Sequence, residues 1–166
     1  MREDHVGDAA ADPGVADLYR SDHTRITRLA YLLSGDRSFA EEAGQEAFVR
    51  LLSSQAVVRE PSGYLTTVTV NLCRDHGRRL ATAAAHPTAL PGHGPHVDVP
   101  GQLDDADVVM QAIRQLPLPS REIVVLRYWM DLPTGEIARL LGRRPGTVRS
   151  ILHRAHAALG EVLDRD

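Results

Sequence analysis

Residues 142–156, GRRPGTVRSILHRAH, place Thr147, Arg149, Ser150, His153 and Arg154 on one side of a prospective helix, with Arg143 and Arg144 just ahead of it. Val148, Leu152, Ala155 and Leu159 recur at i, i+4, i+7 and i+11 and make the other side apolar. Residues 139–154 hold five arginines and no acid. A guanidinium can pair bidentately with guanine or clamp a phosphate, and the hydroxyls of Thr and Ser suit backbone oxygens. The helix N-terminus adds its own attraction for phosphate. This pattern predicts a helix that reads DNA, with Arg149 and His153 the leading candidates for base contacts. The plain alternative is a solvated basic face. An acid-free stripe within a compact helix-turn-helix pattern argues for DNA instead.

Such a helix must be held by a partner. EIARLLG, directly before it, completes the layout of a helix-turn-helix. Ala138 is small enough for two helices to cross closely, Gly142 can take the left-handed conformation that ends the first, and Pro145 and Gly146 suit the entry to the second. Upstream, DDADVVMQAIRQLP opens with acids fit for a helix N-terminus and ends at Pro117, and PSREIVVLRYWMD forms another helix. Residues 104–163 therefore read as a four-helix unit.

The first part of the chain is helical in period as well. Ile26, Leu29, Ala30 and Leu33 define one apolar stripe, and Ala40, Ala43, Gly44, Ala47, Phe48 and Leu51 another. SGD at 34–36 supplies a glycine stop and an Asp cap between them. A third helix starts at Pro61 and runs to about Leu80, with Leu65, Val68 and Leu72 inward. No run alternates as a strand would. The expected fold is all-α: a tail over 1–13 expected to be disordered, a three-helix domain over 14–80, a flexible linker over 81–103 and the four-helix domain.

Composition narrows the function classes. The 166 residues are 43% hydrophobic and 25% charged, and all 19 basic residues are Arg. The net charge of −3 would speak against nucleic acid only if it were evenly spread, which it is not. No run approaches the roughly 20 apolar residues of a membrane span, and the first 14 residues carry no secretion signal, so a cytoplasmic protein without membrane insertion is expected. Cys73 is alone, which excludes an intramolecular disulfide. His86, His93 and His96 fall in the Pro/Gly-rich linker with no rigid element to hold them, so neither a metal nor a cofactor is expected, and no catalytic constellation is present.

Residues 116–159, LPLPSREIVVLRYWMDLPTGEIARLLGRRPGTVRSILHRAHAAL, closely resemble region 4 of bacterial sigma factors of the extracytoplasmic-function type. RLAYLLSGDRSFAEEAGQEAFVRLL and EPSGYLTTVTVNLCRDHGRR, at 28–52 and 60–79, independently resemble region 2 of the same family. The resemblance implies a dissociable initiation subunit of RNA polymerase, not an enzyme itself. It assigns Glu42, Gln45, Glu46 and Val49 to the clamp coiled coil of the largest polymerase subunit, and region 4 to the flap of the second-largest. It assigns Thr67, Asn71, Arg74, Arg78 and Arg79 to the minus-10 element, and the loop at about 54–60 to a flipped base. It assigns Arg143, Arg144, Thr147, Arg149, Ser150, His153 and Arg154 to the minus-35 element, Arg143 and Arg144 being candidates for phosphate contacts. An anti-sigma factor is the further implied partner.

The chain departs from the family pattern in several places. Glu42 stands where Asp is common, Gly44 where an apolar branched residue is usual, and LLSSQAVV lacks the aromatic residues often found there. Ile151 and His156 replace frequent basic residues, and Ile151 sits at the edge of the apolar stripe, which favours a core role. Other classes fit less well. A stand-alone helix-turn-helix regulator would need a sensing domain in the first 80 residues, where no βαβ pattern or Gly-rich loop occurs. An interaction module would need an acidic partner for the Arg stripe.

Overall fold

The computed structural model describes residues 13–54, 57–85 and 111–163. Helices account for nearly all of them, and there is no strand among the described residues. They are α1 (Pro13–Ser34), α2 (Arg37–Ser53) and α3 (Pro61–Ala85), then α4, helical over 111–115, α5 (Leu118–Tyr128), α6 (Thr134–Leu141) and α7 (Pro145–Leu163). The expected tail, apart from Pro13, and the three linker histidines lie outside the described residues.

Local sequence accounts for the breaks. Gly35, at φ 74°, turns the chain after α1 while its N–H bonds Tyr31 O at 2.8 Å. Asp36 then caps α2 by accepting from the Phe39 N–H at 3.0 Å. α6 ends on Gly142, at φ 62°, where the Arg143 N–H reaches back to Ala138 O at 2.8 Å. One boundary differs from expectation. α3 continues through Ala85, five residues into the segment read as linker, because ATAAA holds strong helix formers and no breaker occurs before Pro87.

In the first unit, Ile26, Leu29 and Leu33 of α1 pack with Ala40, Ala43 and Ala47 of α2 and Leu65 of α3. Small residues let α1 and α2 approach closely, most of all at Gly44. A Cβ there would lie 2.5 Å from Thr27 Oγ1. Gly44→Val, which supplies the branched residue usual in the family, is therefore expected to destabilise the chain by about 1–3 kcal/mol through overpacking. The midpoint of chemical denaturation reads this directly.

The two units do not stand apart. Ile123, Val125 and Leu126 of α5 join the apolar cluster of α1 to α3, and Ile137, Ala138 and Val148 extend it into the helix-turn-helix. Five successive residues of α5, Glu122 to Leu126, are buried, as befits a helix covered on more than one side. The two helical units are thus also joined by contacts that α5 and its neighbours make with the first unit, several of them polar and invisible to apolar periodicity.

Candidate nucleic-acid interface

The helix-turn-helix forms as its pattern demands. Ile137, Ala138 and Leu141 of α6 are buried against Val148 and Ile151 of α7, with Leu152 half-buried and Ala155 facing the second, smaller cluster of Leu116 and Val124. Thr147, Arg149, Ser150, His153 and Arg154 are all exposed on the outer face of α7. Among the described residues, Arg144, Arg149 and Arg154 form no ion pair, so this face presents uncompensated positive charge. Arg144 is exposed in the turn. Arg143 is half-buried, with its Nε shielded from solvent and bound to no protein acceptor. Ile151 is only 7% exposed and belongs to the core, as its place on the stripe implies. His156 is exposed and hydrogen-bonds the hydroxyl of Tyr128 on α5.

The second basic face is on α3. Thr67 and Asn71 are exposed, and the Thr67 hydroxyl donates back to Gly63 O at 3.0 Å. Arg78 and Arg79 are exposed near Asp75, Arg78 pairing with its carboxylate and Arg79 Nε lying 3.4 Å from its carbonyl. Arg74 is different. Its Nε donates to Glu122 Oε1 at 2.6 Å and its Nη2 to Oε2 at 2.8 Å, across the boundary between the units. That hydrogen bonding, partly opposed by burial, raises the proton affinity of its guanidinium. Arg74, expected on one face with Thr67, Asn71 and Arg78, is therefore engaged in an ion pair, whereas Thr67, Asn71 and Arg78 are exposed. The cause is Glu122, whose side chain is 3% exposed.

Sequence reasoning missed Glu122. Glu122 lies past the first turn of α5, an acid of a kind that ordinarily faces solvent, and nothing local distinguishes one that is buried. The only signal is its position at the head of an apolar run, EIVVL. Beside Arg74, the Cys73 thiol lies 3.8 Å from Ala30 O, and burial, reinforced by Glu122, pushes its pKa up to about 12.

On α2, Glu42, Gln45 and Val49 are exposed along one edge, and Glu46 accepts from Arg50 Nε at 2.7 Å. Opposite them Ala40, Ala43, Ala47 and Phe48 are buried. In the loop after α2, Val57 is almost fully exposed, and residues 55 and 56 lie outside the described residues. Among the described residues no group of three or more His, Cys, Asp or Glu is placed to hold a metal ion. No described helix is long and apolar enough to cross a membrane.

Comparison with known proteins decides the family. Residues 18–82 match Sigma-70 region 2, and residues 106–159 match Sigma-70, region 4. The chain is 35% identical over 150 residues to the ECF RNA polymerase sigma factor SigM of Mycobacterium tuberculosis, covering 88% of this chain and 75% of that protein. The chain belongs to the extracytoplasmic-function sigma factors. It is thus a sigma factor, a protein that directs transcription initiation. SigW of Bacillus subtilis is 29% identical, with 95% of this sigma factor and 91% of that protein covered. Among solved structures, the sigma factor RpoE of Bartonella quintana, crystallised with the anti-sigma factor NepR, shares the fold at a TM-score of 0.74 and 19% identity. That match covers 92% of this chain and 98% of the other. CnrH, solved with the cytosolic domain of CnrY, shares it at 0.62 and 20%, over 92% and 88% of the two chains.

Proposed function

We propose that this sigma factor binds core RNA polymerase through α2, reads a minus-10 element with α3 and reads a minus-35 element with α7. The observation that carries the reading is the outer face of α7, where Thr147, Arg149, Ser150, His153 and Arg154 stand exposed over a buried Val148, Ile151 and Ala155. A helix so divided can enter the major groove while its back stays packed on α5 and α6. Arg143 and Arg144, at the turn, suit phosphates flanking that groove. Thr67, Asn71, Arg78 and Arg79, joined by Arg74 once it leaves Glu122, supply hydroxyl, amide and guanidinium groups for the opened strand. The loop at 54–60 would receive an extruded base, whose capture helps offset the few kcal/mol of unstacking. Glu42, Gln45, Glu46 and Val49 would meet the clamp coiled coil of the largest subunit, and region 4 the flap of the second-largest. An anti-sigma factor would hold the protein in reserve, and the site of action would be the cytoplasm.

The domain limits follow the same reading, with region 2 extended to Ala85 and region 4 beginning near 104. Reconstitution of the full chain with core polymerase on genomic DNA, followed by mapping of transcript starts, tests the proposal. Initiation at a shared promoter sequence is the expected result. Starts no more frequent than with core alone would overturn it, and specific DNA binding without initiation would favour a stand-alone regulator.

A further inference from the structure

A cleft of about 630 Å³ opens between α3, the start of α5 and the turn from α6 into α7. Arg74 and Arg78 of α3 and Arg143 of the turn bring three guanidiniums to it, and among its lining residues only Glu122 is acidic. That carboxylate is already neutralised. Both of its oxygens accept from Arg74, at 2.6 and 2.8 Å, so it offers an incoming anion little repulsion. Arg78 pairs with Asp75 on the exposed surface of α3, a kind of contact that solvent and other anions readily displace. Arg143 makes no ion pair among the described residues, and its Nε is shielded from solvent without a protein acceptor. An N–H in that state gains from any acceptor that reaches it.

The rest of the lining is largely apolar. Leu118, Pro119 and Leu141 supply hydrocarbon surface, with Leu118 exposed. Gly77 leaves α3 bare where a Cβ would touch Leu118 Cδ2 at 3.7 Å. A site that sets cationic forks beside apolar surface suits a ligand with phosphate at one end and a flat, weakly polar body at the other. The volume falls within the roughly 300–1,000 Å³ of small-ligand sites. We propose that this cleft binds a nucleoside phosphate, with phosphate oxygens on Arg143 and Arg78 and the base and sugar against Leu118, Pro119 and Leu141. Inorganic phosphate would engage the guanidiniums alone and a nucleoside the apolar surface alone, so neither half binds as the whole does. Arg78 and Arg143 also stand in the proposed DNA surfaces, but binding in the cleft rests on its lining and not on that reading.

Isothermal titration calorimetry of the full chain with ADP and with GDP tests this, adenosine and inorganic phosphate serving as partial ligands. One nucleotide per chain is expected, bound about 10-fold or more tightly than either partial ligand. Arg143→Ala should weaken binding about 10-fold. Arg78→Ala should weaken it about 5-fold, and its exposed position keeps the test valid if the Arg143 variant fails to fold. Gly77→Leu, which favours the helix and fills the cleft without changing charge, should weaken it comparably. Arg20→Ala removes one positive charge from the surface of α1, where Arg20 pairs with Asp17, and should leave binding unchanged. Absence of binding by both nucleotides at millimolar concentration would overturn the site. Phosphate binding as tightly as the nucleotides would overturn the nucleoside half of it, and equal losses in Arg20→Ala and Arg143→Ala would reduce it to general charge attraction. Neither polymerase nor promoter enters these measurements, so failure of the sigma reading would appear separately, as absence of initiation with core polymerase.

Discussion

Arg149→Ala is expected to lower promoter-dependent initiation by roughly 5- to 150-fold, the equivalent of about 1–3 kcal/mol, and to relax base preference at one minus-35 position. Arg149 is exposed on α7 one residue after the buried Val148, and no acid among the described residues neutralises it. Its fork is therefore available for a base edge rather than committed to an intramolecular pair. Arg144→Ala is the matched comparison. Arg144 is exposed in the turn and, in the proposed reading, contacts a phosphate, so its loss should weaken all promoter sequences alike and reduce the salt dependence of binding by about one charge. Binding and initiation measured on a set of single-base minus-35 variants separates the two. An Arg149→Ala effect that is the same on every variant would remove it from the base-reading residues.

Ile151→Ala should destabilise the second unit by about 2–5 kcal/mol, and Ile151→Arg by at least as much, although Arg is frequent at that position in the family. Ile151 is 7% exposed and joins the apolar cluster with Ile137, Leu141 and Val148, so truncation leaves a cavity and a guanidinium would have to desolvate or displace α6. The expected signature is a lowered denaturation midpoint together with loss of initiation, as α7 loses its seat on α6. A stable Ile151→Arg chain that binds promoter DNA more tightly would show that this side chain faces the groove. With Ile151 in the core, Arg149, His153 and Arg154 are the exposed side chains left on that part of α7 for the proposed contact with DNA.

The legibility of these features differs from residue to residue. The exposed face of α7 was readable because helix period, the Gly142 stop and the buried stripe all arise from neighbours within four residues. The same holds for Asp36 as a cap and for the edge of α2 that carries Glu42, Gln45 and Val49. The end of α3 was misplaced by five residues because composition suggested a linker where Ala propensity continued the helix. Gly44 could be suspected of close packing from its place on the apolar stripe, but its partner Thr27, 17 positions earlier, emerges only when α1 and α2 are set against each other.

The helices, their caps, the helix-turn-helix and its basic outer face follow from short-range order: hydrogen-bond geometry and hydrophobic period are properties of consecutive residues. The commitment of Arg74 to Glu122, 48 positions away, the seat of Arg28 on Trp129 and the joining of the two units into one apolar cluster do not. A guanidinium on an exposed face and one drawn into an ion pair look the same in a linear pattern. Which it becomes depends on whether folding brings a desolvated carboxylate within reach, and that is a matter of packing between helices far apart in the chain.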